Sequence, residues 1–388
     1  MLNLVNINEV FMYIKQIQLT RLKQMIEPGK VVLILGARRV GKTTLLEHFI
    51  QDTDTTSLLV SGEDITVRSY LESQSIEKLR AFVGDHHLLA VDEAQYVKRI
   101  GLNLKLLVDH VPGLMIVATG SSSFGLTHDT GAPLTGRQYT LRLHPLSQME
   151  ISSIEKPHET DANLEMRLLY GSYPEVVLTE DIQRRGLLLR ELVSSYLFKD
   201  IFQLEGIRKP DKIARLVQLL AFQIGKDVSS TELGTQLGMS KNTVDKYLDL
   251  LEKTFVIYHL SGFSRNLRKE ITKSRRYYFW DNGILNAVIN NFNPLDLRND
   301  IGMLWENYII GERFKRNEYS RRFTDSYFWR TYDRKEIDLV EVYGNELHGY
   351  EIKWSDKPVI APKDWSTNYP EATFQVINRQ NYLSFLMP

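Results

Sequence analysis

Residues 36–43 of this chain read Gly-Ala-Arg-Arg-Val-Gly-Lys-Thr and follow directly on an apolar run, Val31 to Leu35. Glycines at this spacing free the backbone N–H groups to wrap phosphate oxygens, while Lys42 would reach the β and γ phosphates and Thr43 would hold Mg²⁺. The apolar run predicts a buried strand, and residues 44–50 predict a helix. A strand that passes through such a loop into a helix is the arrangement that phosphate binding requires, and we call residues 36–43 the P-loop.

Two further apolar runs, residues 88–91 and 114–118, end in polar residues. Uninterrupted apolar runs separated by helix-length connections are typical of strands buried on both faces of a parallel sheet, so we predict an α/β domain. After the first run, Asp92 is predicted to hold the Mg²⁺ water shell and Glu93 to act as general base on the attacking water. After the second run, a hydroxyl of residues 119–123, Ser121 for example, could contact the γ-phosphate. The predicted nucleotide-binding residues are Gly36, Arg39, Gly41, Lys42, Thr43, Thr44, Asp92 and Ser121.

Arg137, in the segment Leu134-Thr135-Gly136-Arg137, is a candidate for stabilising charge in the transition state. It could act within its own chain or on the nucleotide of a neighbouring subunit, and the second option predicts a homo-oligomer. The alternative is an ordinary surface arginine.

Together these residues resemble the ATPase core of the prokaryotic AAA+-like, STAND-related ATPases. The resemblance covers about residues 15–225, including Gly-Ser-Tyr-Pro-Glu at 171–175. It implies ATP with Mg²⁺ as the cofactor, and the chain has no N-K-x-D motif that would read guanine. The alternative, a degenerate nucleotide fold, is disfavoured because Lys42, Thr43, Asp92 and Glu93 are all present.

Composition narrows the classes of protein that fit. A chain of 388 residues predicts two or three domains, and its 48 basic and 48 acidic residues give no net charge, so any DNA binding must rest on local patches. The absence of cysteine excludes disulfide scaffolds, cysteine-ligated zinc and cysteine nucleophiles. The sequence shows neither a secretory signal nor a stretch of 18 apolar residues, and we expect a cytoplasmic protein with no membrane partner.

We predict four segments with different patterns: a P-loop ATPase core at 1–145, a helical lid or linker at 146–225, a winged helix at 226–295 and an α+β domain at 296–388. In the third segment, residues 229–231 can cap a short helix, residues 238–240 form a turn, and Lys241 to Lys253 form a second helix. This spacing is typical of a helix-turn-helix followed by a β-wing.

The predicted wing, residues 265–276, holds six basic residues against one acid, Glu270. Such a patch could anchor a phosphate backbone without reading sequence, and DNA is the predicted partner. The alternative is a packing platform whose charges are solvated. The predicted nucleic-acid contacts are Arg265, Arg268, Lys269, Lys273, Arg275 and Arg276.

Gly344-Asn345 is a two-residue hairpin signal between two alternating segments, residues 336–343 and 346–352. In a two-residue hairpin Tyr343 faces Glu346, and the same register places Asp338 opposite Glu351. Paired carboxylates repel one another unless a cation lies between them, so this register predicts a divalent metal. Lys353 lies on the same face as Glu351, where it could orient or help to deprotonate a water.

Asp338 and Glu-x-Lys at 351–353 resemble the PD-(D/E)XK nuclease core, and Glu306 matches the acid on the preceding helix. The resemblance implies a restriction-endonuclease-like α+β domain in which Glu306, Asp338 and Glu351 hold a second Mg²⁺ or Mn²⁺ and Lys353 is catalytic. The whole order is similar to prokaryotic ATP-binding proteins with a C-terminal domain of unknown function, the AAA_14/DUF4143 type. We therefore expect an ATPase coupled to a DNA-associated metal nuclease. The alternative is an ATP-dependent regulatory switch whose C-terminal domain is inactive and only binds nucleic acid or protein.

Overall fold

A computed structural model describes residues 13–121, 134–197, 210–265 and 274–388. The first sheet has five parallel strands in the order β2-β3-β4-β1-β5. The strands are β1 (Val31–Leu35), β2 (Ser57–Ser61), β3 (Leu88–Asp92), β4 (Met115–Gly120) and β5 (Gln138–Arg142). The predicted parallel α/β sheet is confirmed.

Helices cover both faces of this sheet. Strand β1 is at most 3% exposed along its whole length. Val32 and Ile34 share one apolar cluster with the first two helices, while Val31 and Leu33 share a second cluster with the next three. These helices are α1 (Ile17–Met25), α2 (Lys42–Gln51), α3 (Ile65–Leu71), α4 (Ile76–Val83) and α5 (Ile100–His110). Burial on both faces explains why the strands read as continuous apolar runs.

A helical segment follows the first sheet. Its α-helices are α6 (Gln148–Ile151), α7 (Pro157–Ala162), α8 (Leu164–Tyr170), α9 (Pro174–Leu178), α10 (Ile182–Glu191) and α11 (Pro210–Ala221). The segment joins the next part of the chain through buried polar contacts: the amide of Asn286 donates to the carbonyls of Leu168 and Leu169 at 2.9 and 2.8 Å. These contacts satisfy carbonyls in the last turn of α8, which no later turn of the helix can reach.

The two helices predicted in residues 226–295 are present as α12 (Ser230–Leu237) and α13 (Lys241–Lys253). Ser229 and Ser240 cap the two helices by accepting hydrogen bonds from the N–H groups of Glu232 and Thr243. Gly238 ends α12 in the left-handed conformation, at φ 58°, which a glycine adopts without strain. An antiparallel pair, β7 (Ile257–Gly262) and β8 (Arg275–Phe279), comes next, and β6 (Asp227–Val228) pairs with β8.

These three strands belong to a second sheet of seven strands, in the order β12-β11-β10-β9-β7-β8-β6. The other four strands are β9 (Asp325–Arg330), β10 (Glu336–Tyr343), β11 (Glu346–Ile352) and β12 (Thr373–Ile377). The link is a parallel pairing of β7 with β9, Ser261 to Tyr327 and Gly262 to Phe328. The segments that we predict as a winged helix and an α+β domain thus share one sheet.

The remaining helices are α14 (Asn282–Val288), α15 (Ile301–Tyr319), α16 (Lys363–Asn368) and α17 (Tyr382–Leu386). Short 3-10 helices lie at Ala94–Tyr96 and Leu295–Leu297, and Leu192–Leu197 forms a π-helix. In the part of the chain that the structure describes, no helix is both long and apolar enough to cross a lipid bilayer.

The long helix α15 ties the second sheet to the first. Glu312 accepts a hydrogen bond from the backbone N–H of Gln148 at 2.6 Å, and Glu318 pairs with His144 at 2.9 Å. His144 follows β5 by two residues, so the helix is held next to the strand that neighbours the P-loop strand β1.

Candidate functional site

The P-loop leaves β1 and enters α2 as predicted. The N–H of Gly36 donates to the carbonyl of Gly120 at 3.2 Å, which ties the loop to the end of β4. Gly41 has φ 97°, a left-handed conformation that favours glycine, and no side chain caps α2 there. The N–H groups of the first turn therefore remain available to an anion, which the positive end of the helix attracts.

Lys42 lies folded against this loop. Its Nζ donates to the carbonyls of Gly36 and Ala37 at 3.0 and 2.9 Å, and only 4% of the residue is exposed. Thr43 and Thr44, by contrast, are exposed on the first turn of α2. The buried ammonium and the open helix end suit a polyphosphate that would lie along the loop.

The carboxylate of Asp92 lies next to Thr43. Thr43 Oγ1 donates to Asp92 Oδ2 at 2.8 Å, and Thr119 Oγ1 donates to the other carboxylate oxygen. The N–H of Glu93 donates back to Thr119 Oγ1 at 2.9 Å. Three strand ends, those of β1, β3 and β4, thus deliver the predicted Mg²⁺ and general-base residues to one edge of the sheet.

Gln95 and Arg39 make contacts that the sequence does not predict. Gln95 contacts both Glu93 and Ser121, and sequence reasoning missed it; a polar residue two positions after the predicted general base was the available signal. Arg39, predicted to bind nucleotide, forms an ion pair with Glu175 at 3.1 Å, and both side chains are about half exposed. This pair connects the P-loop to α9 in the helical segment.

Arg137 lies at the end of the sheet where β1 begins, and the P-loop lies at the other end, where β1 ends. This position contradicts a role for Arg137 at the P-loop of its own chain. The N–H of Val31, at the beginning of β1, donates to the carbonyl of Arg137 at 2.8 Å, and the guanidinium pairs with Asp109 at 2.6 Å. A strand of five residues spans about 17 Å and separates this edge from the loop. The physical reason is that β5 runs parallel to β1, so a residue before β5 lies beside the beginning of β1.

The hairpin register is confirmed. Tyr343 pairs with Glu346 and Leu339 with Tyr350, and Asp338 and Glu351 are the residues that come directly after the last of these pairs on β10 and β11. Lys353 Nζ donates to Glu351 Oε1 at 2.6 Å and lies 3.5 Å from Asp338 Oδ2. The same oxygen, Asp338 Oδ2, also accepts a hydrogen bond from the backbone N–H of Ile352 at 2.8 Å.

These acids are buried, and the consequences appear in their pKa values. Burial, with the charge of Asp338, raises the pKa of Glu306 to about 8 and that of Glu351 to about 7. Burial also raises the pKa of Asp338. Burial lowers the pKa of Lys353, but the charges of Asp338 and Glu351 outweigh it and leave that pKa raised. Glu351 Oε2 is buried and has no hydrogen-bond partner among the residues that the structure describes.

The predicted second cation site does not preassemble. Among the described residues, no three histidine, aspartate or glutamate side chains converge closely enough to hold a metal ion. Glu306 instead accepts a hydrogen bond from the hydroxyl of Tyr278 on β8 at 2.9 Å, and Lys353 lies against Asp338 and Glu351. Sequence reasoning missed Tyr278, because nothing in the aromatic run of β8 marks it as a polar partner.

The structure removes Arg276 from the predicted nucleic-acid surface. Its side chain is 2% exposed, pairs with Asp227 at 3.2 Å and Glu336 at 2.6 Å, and lies over the ring of Phe328. A guanidinium buried in two ion pairs has no face left for a phosphate. Arg265 is half exposed and pairs with Glu371, and Arg275 is exposed at the beginning of β8. Arg268, Lys269 and Lys273 lie outside the described residues.

Comparisons with known proteins agree with the geometry of the first sheet. Residues 28–152 match an AAA domain, residues 161–295 match a domain of unknown function (DUF8612), and residues 301–365 match another (DUF4143). An uncharacterized protein of Mycobacterium tuberculosis is 25% identical over 354 residues, which are 88% of this chain and 74% of that protein. An uncharacterized protein of Haemophilus influenzae is 23% identical over 70% of this chain and 72% of its own length.

Among solved structures, the chain matches the Walker-type ATPase PABY2304 of Pyrococcus abyssi, with a TM-score of 0.49 and 17% identity. That alignment covers 71% of this chain and 96% of the Pyrococcus protein. The Holliday junction branch migration motor RuvB of Thermotoga maritima has a TM-score of 0.33 and 17% identity, over 63% of this chain and 89% of that chain. The P-loop and the parallel sheet agree with the match of residues 28–152 to an AAA domain, which supports an AAA-like P-loop fold for this part of the chain.

Proposed function

We propose that the protein binds and hydrolyses ATP at the P-loop. The observation that carries this proposal is the convergence of Thr43, Asp92 and Glu93 on one edge of the sheet beside Lys42. Thr43 and Asp92 are hard oxygen donors 2.8 Å apart, which fit Mg²⁺. Bound Mg²⁺ would neutralise charge on the β and γ phosphates.

The chain's own groups have separate tasks in this proposal. Lys42 and the N–H groups at the beginning of α2 bind the phosphates, and Ser121 contacts the γ-phosphate. Glu93 accepts the proton of the attacking water. ATP is the proposed nucleotide because the sequence has no motif that reads guanine.

The test compares Lys42→Ala and Glu93→Gln in nucleotide binding and phosphate release. We expect Lys42→Ala to weaken ATP binding. We expect Glu93→Gln to bind ATP but to hydrolyse it at least about 100-fold more slowly than the wild type, since general-base contributions are typically of that order. The exposed Glu63→Gln serves as the matched control. If Glu93→Gln hydrolyses ATP as fast as the wild type, Glu93 is not the general base. If the wild type releases no phosphate, the proposed hydrolysis is wrong.

Asp338, Glu351 and Lys353 form what we call the acidic hairpin site. For this site we propose metal-dependent cleavage of nucleic acid, driven or gated by ATP. The supporting observation is the orphaned, buried Oε2 of Glu351, opposite Asp338 and beside Lys353. A buried carboxylate oxygen without a partner costs free energy that a cation would recover, so Asp338 and Glu351 fit a divalent ion. Lys353 would orient a water there. DNA would be held at the exposed Arg275 and the half-exposed Arg265.

Cleavage of labelled DNA and RNA with Mn²⁺ or Mg²⁺ and ATP tests this second proposal. We expect Glu351→Ala and Lys353→Ala to abolish cleavage, while the exposed Glu346→Ala retains it. Absence of cleavage by the wild type would instead favour an ATP-dependent regulatory switch. The pairing of Lys353 with both carboxylates supports that alternative, because it partly neutralises the site without any metal.

For Arg137 the position in the fold leaves a role between subunits. The side chain of Arg137 is 42% exposed, so it can face another molecule. We propose that Arg137 acts on a neighbouring nucleotide in a homo-oligomer. Mass measurement with and without ATP, for the wild type and Arg137→Ala, tests this: a monomer under both conditions rules it out.

A further inference from the structure

Gln95 lies in the short 3-10 helix that follows β3, two residues after Glu93. Its side-chain amide makes three contacts at the edge of the sheet. Nε2 donates to Glu93 Oε2 and to Ser121 Oγ, the latter at 3.2 Å, and Oε1 accepts from the N–H of Ser121 at 3.4 Å. One amide group therefore connects the carboxylate of Glu93 with Ser121, the residue that follows β4.

The backbone of Glu93 is held from the same side. Glu93 has φ 49°, a left-handed conformation that is uncommon for a residue with a side chain. Its N–H is bonded to Thr119 Oγ1 at 2.9 Å. Both ends of Glu93 thus depend on the end of β4: the backbone through Thr119 and the carboxylate through Gln95 and Ser121.

We propose that Gln95 is a positioning residue that sets the carboxylate of Glu93 relative to Ser121. The inference rests on the proposed ATP hydrolysis, in which Glu93 takes the proton and Ser121 contacts the γ-phosphate. A single amide that contacts both residues coordinates the water-activating group with the phosphate-contacting group. An amide suits this arrangement, because its Nε2 donates to a carboxylate while its Oε1 accepts from a backbone N–H.

Three substitutions separate this role from simple packing. Gln95→Met keeps the length and volume of the side chain but removes the hydrogen bonds. Gln95→Glu keeps the shape and places a second negative charge against Glu93. Gln183→Met, at an exposed position on α10, is the matched control.

We expect Gln95→Met to lower kcat for ATP about 10-fold to 100-fold, as the loss of a hydrogen bond to a charged group does, while KM and nucleotide affinity change less than about twofold. Gln95→Glu should lower kcat further. The control should retain the wild-type kcat. A Gln95→Met protein with wild-type kcat, or one whose KM rises as much as kcat falls, overturns the inference.

A double-mutant cycle with Glu93→Gln gives the sharper readout. If Gln95 acts through Glu93, Gln95→Met should have little further effect on kcat once Glu93 is replaced, since residues that act as a unit are not additive. If the losses of kcat from the two substitutions are additive, or if Gln95→Met lowers the melting temperature so far that the variant is partly unfolded in the assay, Gln95 has a structural role and the inference is overturned. Absence of turnover by the wild type refutes the proposed ATPase function itself, which separates the two failures.

Discussion

The P-loop edge and the acidic hairpin site both gather carboxylates, but they satisfy them differently. At the P-loop edge, both oxygens of Asp92 accept hydrogen bonds from threonine hydroxyls, and Thr43 is open to solvent. At the hairpin, Asp338 and Glu351 are buried beside one lysine, and one oxygen of Glu351 has no partner. Hydroxyl groups satisfy a carboxylate whatever its ligand state, whereas buried carboxylates without enough partners depend on protons or a cation.

The comparison teaches how each site should respond to change. The P-loop edge is organised by backbone geometry, so it should be most sensitive to changes in main-chain spacing. The hairpin site is governed by charge, so it should respond to pH, to cations and to the removal of Lys353.

The largest expected effect is at the P-loop. A Cβ atom at Gly36 would lie 2.1 Å from the carbonyl oxygen of Leu143, a backbone atom that cannot move without its strand. We expect Gly36→Ala to weaken ATP binding at least tenfold, a change of about 1.4 kcal/mol, and to lower the melting temperature. Calorimetric titration with ATP measures the affinity. Gly302→Ala, where a Cβ meets no atom within 4 Å, is the control. Unchanged affinity in Gly36→Ala would mean that backbone spacing does not organise this edge.

At the hairpin site, Glu306→Gln tests dependence on protons. The pKa of Glu306 is about 8 in the folded protein against 4.5 for an ordinary glutamate, so the unfolded state loses its proton first as pH rises. Stability of the wild type therefore falls between about pH 4.5 and pH 8, and a glutamine does not contribute to this loss.

We expect the melting temperature of Glu306→Gln to exceed that of the wild type by several degrees near pH 8 and by much less near pH 5. Thermal unfolding at both pH values measures this difference. Glu63→Gln, at an exposed position, should show no such trend. If the difference in melting temperature between Glu306→Gln and the wild type is the same at both pH values, burial of the ionised Glu306 does not destabilise the fold.

Lys353→Met tests the dependence on a cation. Its removal leaves Asp338 and Glu351 facing each other without their ion pair, at a cost of roughly 1–2 kcal/mol after allowance for the partial exposure of the lysine. We expect a lower melting temperature in EDTA and a larger recovery with Mn²⁺ than in the wild type. The exposed Lys357→Met is the control. Equal Mn²⁺ responses in variant and wild type would contradict a cation-dependent site.

The smallest effect concerns the link between the P-loop and the helical segment. Arg39 and Glu175 are about half exposed, and their ion pair should contribute only about 0.2–1 kcal/mol. A double-mutant cycle of Arg39→Ala and Glu175→Ala, measured by urea unfolding at low and high salt, gives this coupling. A coupling of more than about 2 kcal/mol, insensitive to salt, would show that the pair is shielded from solvent and would narrow the contrast between the two sites.

Parts of the fold were predictable because their signals are local. The apolar runs at β1, β3 and β4 predict a sheet buried on both faces, and the parallel sheet confirms it. The two-residue turn at Gly344-Asn345 predicts a strand register in which Tyr343 faces Glu346, and that pair is observed. In both cases the period of the backbone decides the outcome, and neighbouring residues carry the information.

The failures involve partners distant in sequence. The sequence places Arg276 in a basic patch, but Asp227 on β6 and Glu336 on β10 enclose its side chain, because these strands and β8 belong to one sheet. Arg137 reads as a residue near the nucleotide, but the parallel direction of β5 carries it to the far edge. The direction of a connection and the identity of a cross-sheet partner leave no mark on the residue itself.

By itself, the sequence determined the P-loop, the strands that lead to Asp92 and Ser121, and the register of the hairpin that carries Asp338 and Glu351, since each follows from spacing along one or two adjacent elements. Only the tertiary structure decided that the helix-turn-helix segment and the C-terminal strands share a sheet, that Tyr278 contacts Glu306, and that Gln95 joins Glu93 to Ser121. The physical reason is that burial and hydrogen-bond partners depend on which elements pack together, and packing is a property of the whole chain rather than of any local pattern.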